Sequence, residues 1–598
     1  VFQSFTSEAD PAKGAARLAA LRERLASEGL AGFLVPRSDA HQGEYVAARD
    51  ERLSWLTGFT GSAGFAVVLP EVAGVFVDGR YRVQVRAQVD LAAFTPVDWP
   101  EVQPGPWIAS HLAAGIVGFD PWLHTADEIA KLEAALQGSG VSLRAVPNMV
   151  DAIWPDQPDP PMGRAFVHPV ALAGATGEEK RTRLAGILRE AGQKAAVITL
   201  PDSICWLLNI RGADVPKNPV LHGFAVLHED ARVTLYAEPA KFDDAIRAHM
   251  GAHVTLRPPA AFVPGLHTLT GPVRVDKASA PLAVSQELEA AGVACVWGDD
   301  PCKLPKACKT PAEIEGARVA HLRDGAAMVN FLAWLDAEAP QGGLTEISVV
   351  KALEGFRRAT NALHDISFDT ICGAGADGAI IHYRVTSDTD RPVRTGELLL
   401  VDSGGQYQDG TTDITRTMAV GAVGDEERTC YTRVLQGLIA ISRARFPKGV
   451  AGRDLDALAR AALWMAGQDY DHGTGHGVGA FLSVHEGPQR ISRLSEVPLQ
   501  PGMILSNEPG YYREGAFGIR LENLIVVTEA PPLGDNRPQF AFETLTFAPF
   551  DRRLIDLAML SPGERAWIDA YHAEVLAKIG PRVEGAARDW LQAACAPL

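Results

Sequence analysis

The sequence predicts a mixed α/β chain of three domains, the first two being copies of one module. Three observations lead there. With 598 residues the chain exceeds the ~250–300 residues that one hydrophobic core supports. An order of helix, strand, tryptophan-bearing segment and paired strands recurs about 150 residues later, the scale of one domain. Finally, residues 401–413 (VDSGGQYQDGTTD) place one aspartate on each side of a polar, glycine-rich turn, which reads as a β-hairpin centred on Asp409-Gly410. The expected domains are 1–158, 159–305 and 306–598.

In the first module, Leu18, Leu21 and Leu25 share one face of a helix over 11–29. Strands follow at 32–35, 64–69 and 75–77, with Trp55-Leu56-Thr57-Gly58-Phe59 between the first two. In the second, a helix at 178–191 leads to a strand at 195–199, then Trp206-Leu207-Leu208-Asn209-Ile210 and strands at 224–227 and 233–236. The proline-rich stretch 155–161 (PDQPDPP) favours extended backbone and suits a linker. The last domain opens at Thr310, an N-cap, with Pro311 at the first helical position and Glu313 as the reciprocal acid of a capping box. Its helix runs to about Leu335. Further helices are expected at 346–359, 425–443 and 454–466, and strands at 366–372, 380–384, 503–506 and 518–527. A helical tail, 562–598, packs back on the body.

Composition narrows the partners. A net charge of −17 argues against nucleic acid and anionic membrane, both of which want clustered Lys and Arg. No apolar run is long and clean enough to span a bilayer. The first residues, VFQSFTSEADP, lack a basic start followed by an apolar stretch, so no secretory signal is expected and the cytoplasm is the expected location. Seven scattered cysteines read as buried thiols; Cys302 and Cys308 are too far apart for a zinc knuckle.

The chemistry lies in the third domain. Two facing carboxylates, Asp402 and Asp413, cannot both stay ionised without something positive between them. Downstream, DHGTGHGVGAF (471–481) alternates glycine with other residues. That pattern forbids a regular helix, so His472 and His476 are not a helical metalloprotease pair, but lets backbone press close to a site. A flexible surface loop is the bland alternative. Glu508 and Glu522 sit within apolar strands; each alone would pass for a salt-bridged residue, Glu522 with Arg520. Together Asp402, Asp413, His476, Glu508 and Glu522 supply four carboxylates and an imidazole, a set suited to two divalent cations. Such a pair, about 3.5–4 Å apart, activates water and holds an oxyanion. The implied reaction is hydrolysis of an amide or ester.

At this level the chain resembles the pita-bread metallopeptidase family of methionine aminopeptidase, prolidase and aminopeptidase P, and most closely its three-domain, cytosolic-type X-Pro aminopeptidases. The resemblance lies in WLTGFTGSAG (55–64), VDGRY (77–81), WLLNIRGADVPKNPV (206–220), KTPAEIEGAR (309–318), DSGGQYQDGTTDITRT (402–417), HGTGHGVGAFLSVHEGP (472–488), LSNEPGYY (505–512), GIRLEN (518–523) and FETLT (542–546). Collectively these are specific, though each alone is weak. It implies a pita-bread catalytic domain behind two related, creatinase-N-terminal-like α/β domains. Asp402 would bind one metal, Asp413 and Glu522 would bridge, and His476 and Glu508 would complete the other. The metals would be manganese, although the same ligands accept zinc, cobalt or iron. Glu508 would shuttle the proton of a bridging hydroxide. His382 (in IIHYR) and His485 (in SVHEGP) would bond the peptide and its oxyanion, His472 would line the pocket, and Arg80 would contact the peptide. The implied substrates are peptides with proline second, and the implied assembly is a homodimer.

An X-Pro bond has no N–H and its ring fixes φ, so it needs a dedicated pocket. Prolidase, on the same site, is the alternative; it has one N-terminal domain as a rule and prefers dipeptides. Methionine aminopeptidase lacks the upstream domains. A serine hydrolase built on Asp402-Ser403-Gly404-Gly405 would leave the glutamates and the glycine-rich loop unexplained. A non-catalytic scaffold, or the metal-free creatinase chemistry, would not keep five ligands.

Overall fold

The computed structural model describes residues 2–598, which form two compact units. The N-terminal unit comprises Glu8–Val170 and Ala175–Lys303; the other, called the catalytic unit for the chemistry expected of it, comprises Leu304–Leu598 with residues 2–7 and Ala171–Gly174. Among the described residues no helix is long and apolar enough to cross a membrane. The seven cysteines form no disulfide, and five of them are buried.

The N-terminal unit bears out the repeat. Each module begins with a 14-residue helix, Gly14–Ser27 and Gly177–Glu190, and Leu18, Leu21 and Leu25 are buried as their spacing requires. Each has a six-stranded sheet of one topology. In the first the order is Thr95–Asp98, Ala73–Val77, Phe65–Val68, Gly32–Pro36, Gly115–Phe119, Val141–Ala145. In the second it is Val254–Arg257, Val233–Tyr236, Phe224–His228, Ala195–Ile198, Val273–Val275, Cys295–Trp297. In both, the opening strand pairs antiparallel with the next and parallel with the strand on its other side. The tryptophan-bearing segments are helices, Arg52–Thr57 and Pro201–Leu208, and both end on a left-handed residue. Gly58 adopts φ 87° without a Cβ penalty, while Asn209 takes φ 49°, a region asparagine tolerates.

In the catalytic unit the capping box at Thr310 forms: Thr310 N–H donates to Glu313 (2.9 Å) and Glu313 N–H to Thr310 Oγ1 (3.2 Å). The helix it starts, Pro311–Glu338, outruns the expected end near Leu335. The tail forms helices Pro562–Ile579 and Gly585–Ala594, whose Ile568, Tyr571, Val575, Ile579 and Leu591 join the core with Val329 and Leu435.

Several strand expectations need correction. The hairpin is two nested ladders: Leu398–Ser403 pairs with Ile414–Ala419, and Gly405–Tyr407 with Gly410–Thr411 at the tip. Asp402 lies on its strand, but Asp413 stands one residue before its own. The strand expected at 366–372 is two short ones, Asp365–Ile366 and Ile371–Ala374, with different partners. No strand forms at 380–384. Ile381 and Tyr383 are buried as a strand pattern predicts, yet the backbone turns, Tyr383 N–H bonding the Ile380 carbonyl and Ile381 O accepting from Arg520. The strand expected at 518–527 breaks between Phe517–Arg520 and Asn523–Ala530, and Glu522 sits in the break.

Candidate metal centre

Two sheets of the catalytic unit supply the site. Asp402 is on the central strand of a three-stranded sheet, opposite Thr415, and Asp413 enters its edge strand. The six-stranded sheet supplies His476 on Gly475–Gly477, Glu508 just past Ile504–Asn507, and Glu522 just ahead of Asn523–Ala530. The glycines around His476 permit close approach. A Cβ on Gly475 would strike the Ser506 carbonyl, and one on Gly477 the Glu486 carbonyl. Neither has positive φ, so spacing rather than backbone conformation demands glycine here.

Four of the five expected ligands lie together, and the charge of the fifth, Asp402, bears on Asp413, Glu508 and Glu522. One donor atom each from Asp413, His476 and Glu522 lies within 4.8 Å of the others. His476 Nε2 stands 3.5 Å from Asp413 Oδ2 and 3.4 Å from Glu508 Oε1. Its Nδ1 donates to the Gly477 carbonyl (2.9 Å), a bond that fixes the tautomer and leaves the Nε2 lone pair facing the carboxylates. Ser506 Oγ accepts from His476 N–H (2.9 Å) and donates to Glu508 Oε1 (3.0 Å). Thr415 Oγ1 donates to Glu522 Oε2 (2.8 Å). Asp402 Oδ2 is gripped by Arg520 through Nε (3.1 Å) and Nη2 (2.8 Å).

What the carboxylates lack is as informative. Asp402 Oδ1, Asp413 Oδ1 and Glu522 Oε1 are buried and accept no hydrogen bond. Burial, reinforced by the neighbouring carboxylates, pushes Asp413 and Glu522 well above the ordinary carboxylate range, and burial raises Glu508. Four carboxylates and the Arg520 guanidinium leave three negative charges, which two dications and one hydroxide would balance. Orphaned oxygens, mutual repulsion and a mixed O/N donor set fit a pair of divalent ions.

This arrangement fixes the sign of a pH effect. An acid whose folded pKa lies above its unfolded value binds more protons in the folded state, so stability falls as pH rises. Metal-stripped protein should therefore lose stability from about pH 4 upward through the raised values of Asp413 and Glu522. Chelator-treated protein that denatures at the same urea midpoint across that range would contradict this.

The histidines divide. The His485 ring lies 4.3 Å from that of His476, edge to face. His472 Nε2 is 2.8 Å from Tyr512 Oη, and that hydroxyl is 2.6 Å from Arg520 Nη1. His382 follows Ile381, whose carbonyl accepts from Arg520 at 3.2 Å. Arg80 belongs to the N-terminal unit, where Asp78 holds its guanidinium at 2.7 Å and Tyr81 packs beneath it. Ser403 is fully buried, which removes it as a nucleophile for a peptide.

Under the bland alternative for Glu522, Arg520 was a same-face candidate partner, but the strand break parts the two and sends Arg520 to Asp402 and Tyr512. Arg520→Lys keeps the charge and loses the two-pronged grip. It should cut turnover roughly 10–100-fold, as removal of ligand-supporting groups does elsewhere, and Tyr512→Phe less. Steady-state kinetics at saturating metal checks both, and unchanged kcat in the lysine variant would sink the argument. Arg416 was missed too. Fully buried, it donates to the Glu522 carbonyl (2.6 Å), Asn523 Oδ1 (2.8 Å) and the Ala548 carbonyl (2.7 Å). The run of polar residues in DITRT gave no hint of those partners.

Residues 315–529 match metallopeptidase family M24, and residues 538–598 match the C-terminal region of that family. Two stretches, 17–153 and 156–313, each match the creatinase/prolidase N-terminal domain. Aminopeptidase P2 of Arabidopsis thaliana is 38% identical over 97% of this chain and 88% of its own length. The chain belongs to metallopeptidase family M24, in its aminopeptidase P branch. Among solved structures, the X-prolyl aminopeptidase of Caenorhabditis elegans, described as a cytosolic enzyme with a di-nuclear active site, superimposes with a TM-score of 0.93 at 33% identity. It covers 98% of this chain and 99% of that one. The prolidase of Pyrococcus horikoshii reaches 0.50 at 25% identity, covering 63% of this chain and 100% of its own. The M24 assignment places two creatinase-type modules ahead of a pita-bread catalytic domain and its C-terminal extension, as the sequence resemblance implied.

Proposed function

We propose that this M24 chain is a metal-dependent aminopeptidase that releases the first residue from peptides with proline second. The reading rests on likeness along the whole chain. The X-prolyl aminopeptidase is matched from end to end, whereas the prolidase leaves more than a third of this chain without a counterpart. Asp402, Asp413, His476, Glu508 and Glu522 would hold two divalent cations, which when bound supply an activated water and a Lewis acid for the scissile carbonyl.

The side chains do the rest. Glu508, raised by burial, takes the proton shed by the attacking water and passes it to the prolyl nitrogen, which leaves as a secondary amine and must be protonated to do so. His485, packed edge-on against His476, donates to the carbonyl oxygen as it gains charge. His382 bonds the peptide beside the scissile bond, and His472, tied to Tyr512, lines the pocket. Arg520 keeps Asp402 oriented and Thr415 keeps Glu522 oriented.

A peptide panel tests the reading. Metal-loaded protein should cleave X-Pro-Pro at least about a hundredfold faster, in kcat/KM, than X-Ala-Pro, a difference near 3 kcal/mol. It should prefer the tripeptide to the X-Pro dipeptide. Faster cleavage of X-Ala-Pro overturns proline specificity, and preference for the dipeptide makes the chain a prolidase. The finer assignments are manganese as the resident metal, the cytosol as location and a homodimer as the working form. Elemental analysis of protein purified without added metal and light scattering test the first and last.

A further inference from the structure

A second cluster of ligand-type side chains lies in the N-terminal unit. Asp39 follows the Gly32–Pro36 strand, Asp50 closes the Ala48–Asp50 turn, and His222 precedes the Phe224–His228 strand of the other module. One donor atom from each lies within 4.8 Å of the other two. We propose that Asp39, Asp50 and His222 form a divalent-cation site of the zinc class that ties the two N-terminal modules together.

The unfilled valence is on Asp39, which is 1% exposed. Its Oδ1 accepts from the N–H groups of His41 (2.9 Å) and Gly43 (3.0 Å). Its Oδ2 is buried, accepts no hydrogen bond and faces His222 Nε2 at 3.4 Å. That separation is beyond a good N–H···O bond, and a buried carboxylate oxygen without a donor is costly. The His41 ring packs 4.5 Å from that of His222, and a neutral imidazole ligates metal through a ring nitrogen.

The surrounding charges call for a dication. Arg52 touches Asp50 Oδ1 through Nη1 (2.9 Å), but its fork closes on Asp151 (2.6 and 3.0 Å). Lys241 is paired with Asp214 at 2.7 Å. With those cations answered, Asp39 and Asp50 carry two negative charges that one divalent ion would neutralise. Two carboxylates and one imidazole suit zinc or manganese, with water completing the shell. The Asp50 and His222 side chains are 12% and 11% exposed, enough to admit an ion.

The test counts ions on the full-length protein equilibrated with Zn2+. His222→Phe and Asp39→Asn should each bind one Zn2+ per chain fewer than the parent, with X-Pro-Pro hydrolysis unchanged. An equal Zn2+ count in the parent and both variants overturns the site. Anomalous scattering at the zinc edge, from crystals of the unaltered chain in Zn2+, should show a peak among the three side chains. A map with zinc density in the catalytic unit and none there overturns it as well, independently of how the variants fold.

Discussion

Asp413→Asn should abolish hydrolysis of X-Pro-Pro and yet stabilise the metal-free protein. The loss of rate should be at least about a thousandfold, roughly 4 kcal/mol of transition-state stabilisation, because Asp413 sits where the other carboxylates and His476 meet. Bound metal should fall with it. Stability should move the opposite way once metal is stripped. Asp413 is buried, and burial together with the charges of Asp402 and Glu508 opposes its ionisation. Asparagine keeps the shape and removes one charge, so the stripped variant should gain about 1–3 kcal/mol above pH 7, the upper range of ordinary single-site effects. Paired urea melts with and without chelator, alongside metal analysis, provide the check. A variant that stays active with full metal content would remove Asp413 from the ligand set.

Arg416→Met should be the most damaging change outside the ligands. The side chain spans Thr415, Glu522, Asn523, Ala548, Pro549 and Tyr571 with hydrogen bonds and lies over the Phe550 ring. Methionine fills much of the volume but strands those acceptors in the core, each at a cost of about 1–3 kcal/mol if it stays unsatisfied. The net loss should be on the order of 4 kcal/mol or more. Because the Glu522 carbonyl is one of the acceptors, surviving folded protein should also bind metal more weakly. A melting midpoint within a degree or two of the parent would show that water replaces the guanidinium without penalty.

What could be read from the sequence was local or chemically unusual. Thr310, Pro311 and Glu313 announce a helix start within four residues, since the capping bonds involve no other part of the chain. Asp402, Asp413, Glu508 and Glu522 stand out because charge in an apolar run needs a reason, and the glycines flanking His476 point to crowding. The supporting groups were unreadable for the opposite reason. Apart from the adjacent Thr415 carbonyl, Arg416 finds its partners 106 to 155 residues away, and nothing beside Arg416 encodes Tyr571. Arg520 looked like a same-face candidate partner for Glu522 only if alternation continued through Leu521-Glu522. The chain stops being a strand there, so side chains two apart no longer share a face. At Ile381 and Tyr383 burial alternates but the ladder is missing, which shows that a periodic pattern reports burial and not pairing.

Catalytic-unit residues come from both extremes of the sequence. Phe2 N–H bonds Glu354 (2.9 Å), the Gln3 side chain clasps Thr370 in both directions (2.8 and 3.3 Å), and Tyr571 reaches the Ala548 carbonyl (2.9 Å). On the ribosome, those opening residues must wait for hundreds of others before their partners emerge. The N-terminal unit can settle while they dangle, but the peptidase cannot assemble until the residues that bear their partners have been made. A polypeptide stopped short of those partners is thereby denied proteolytic power.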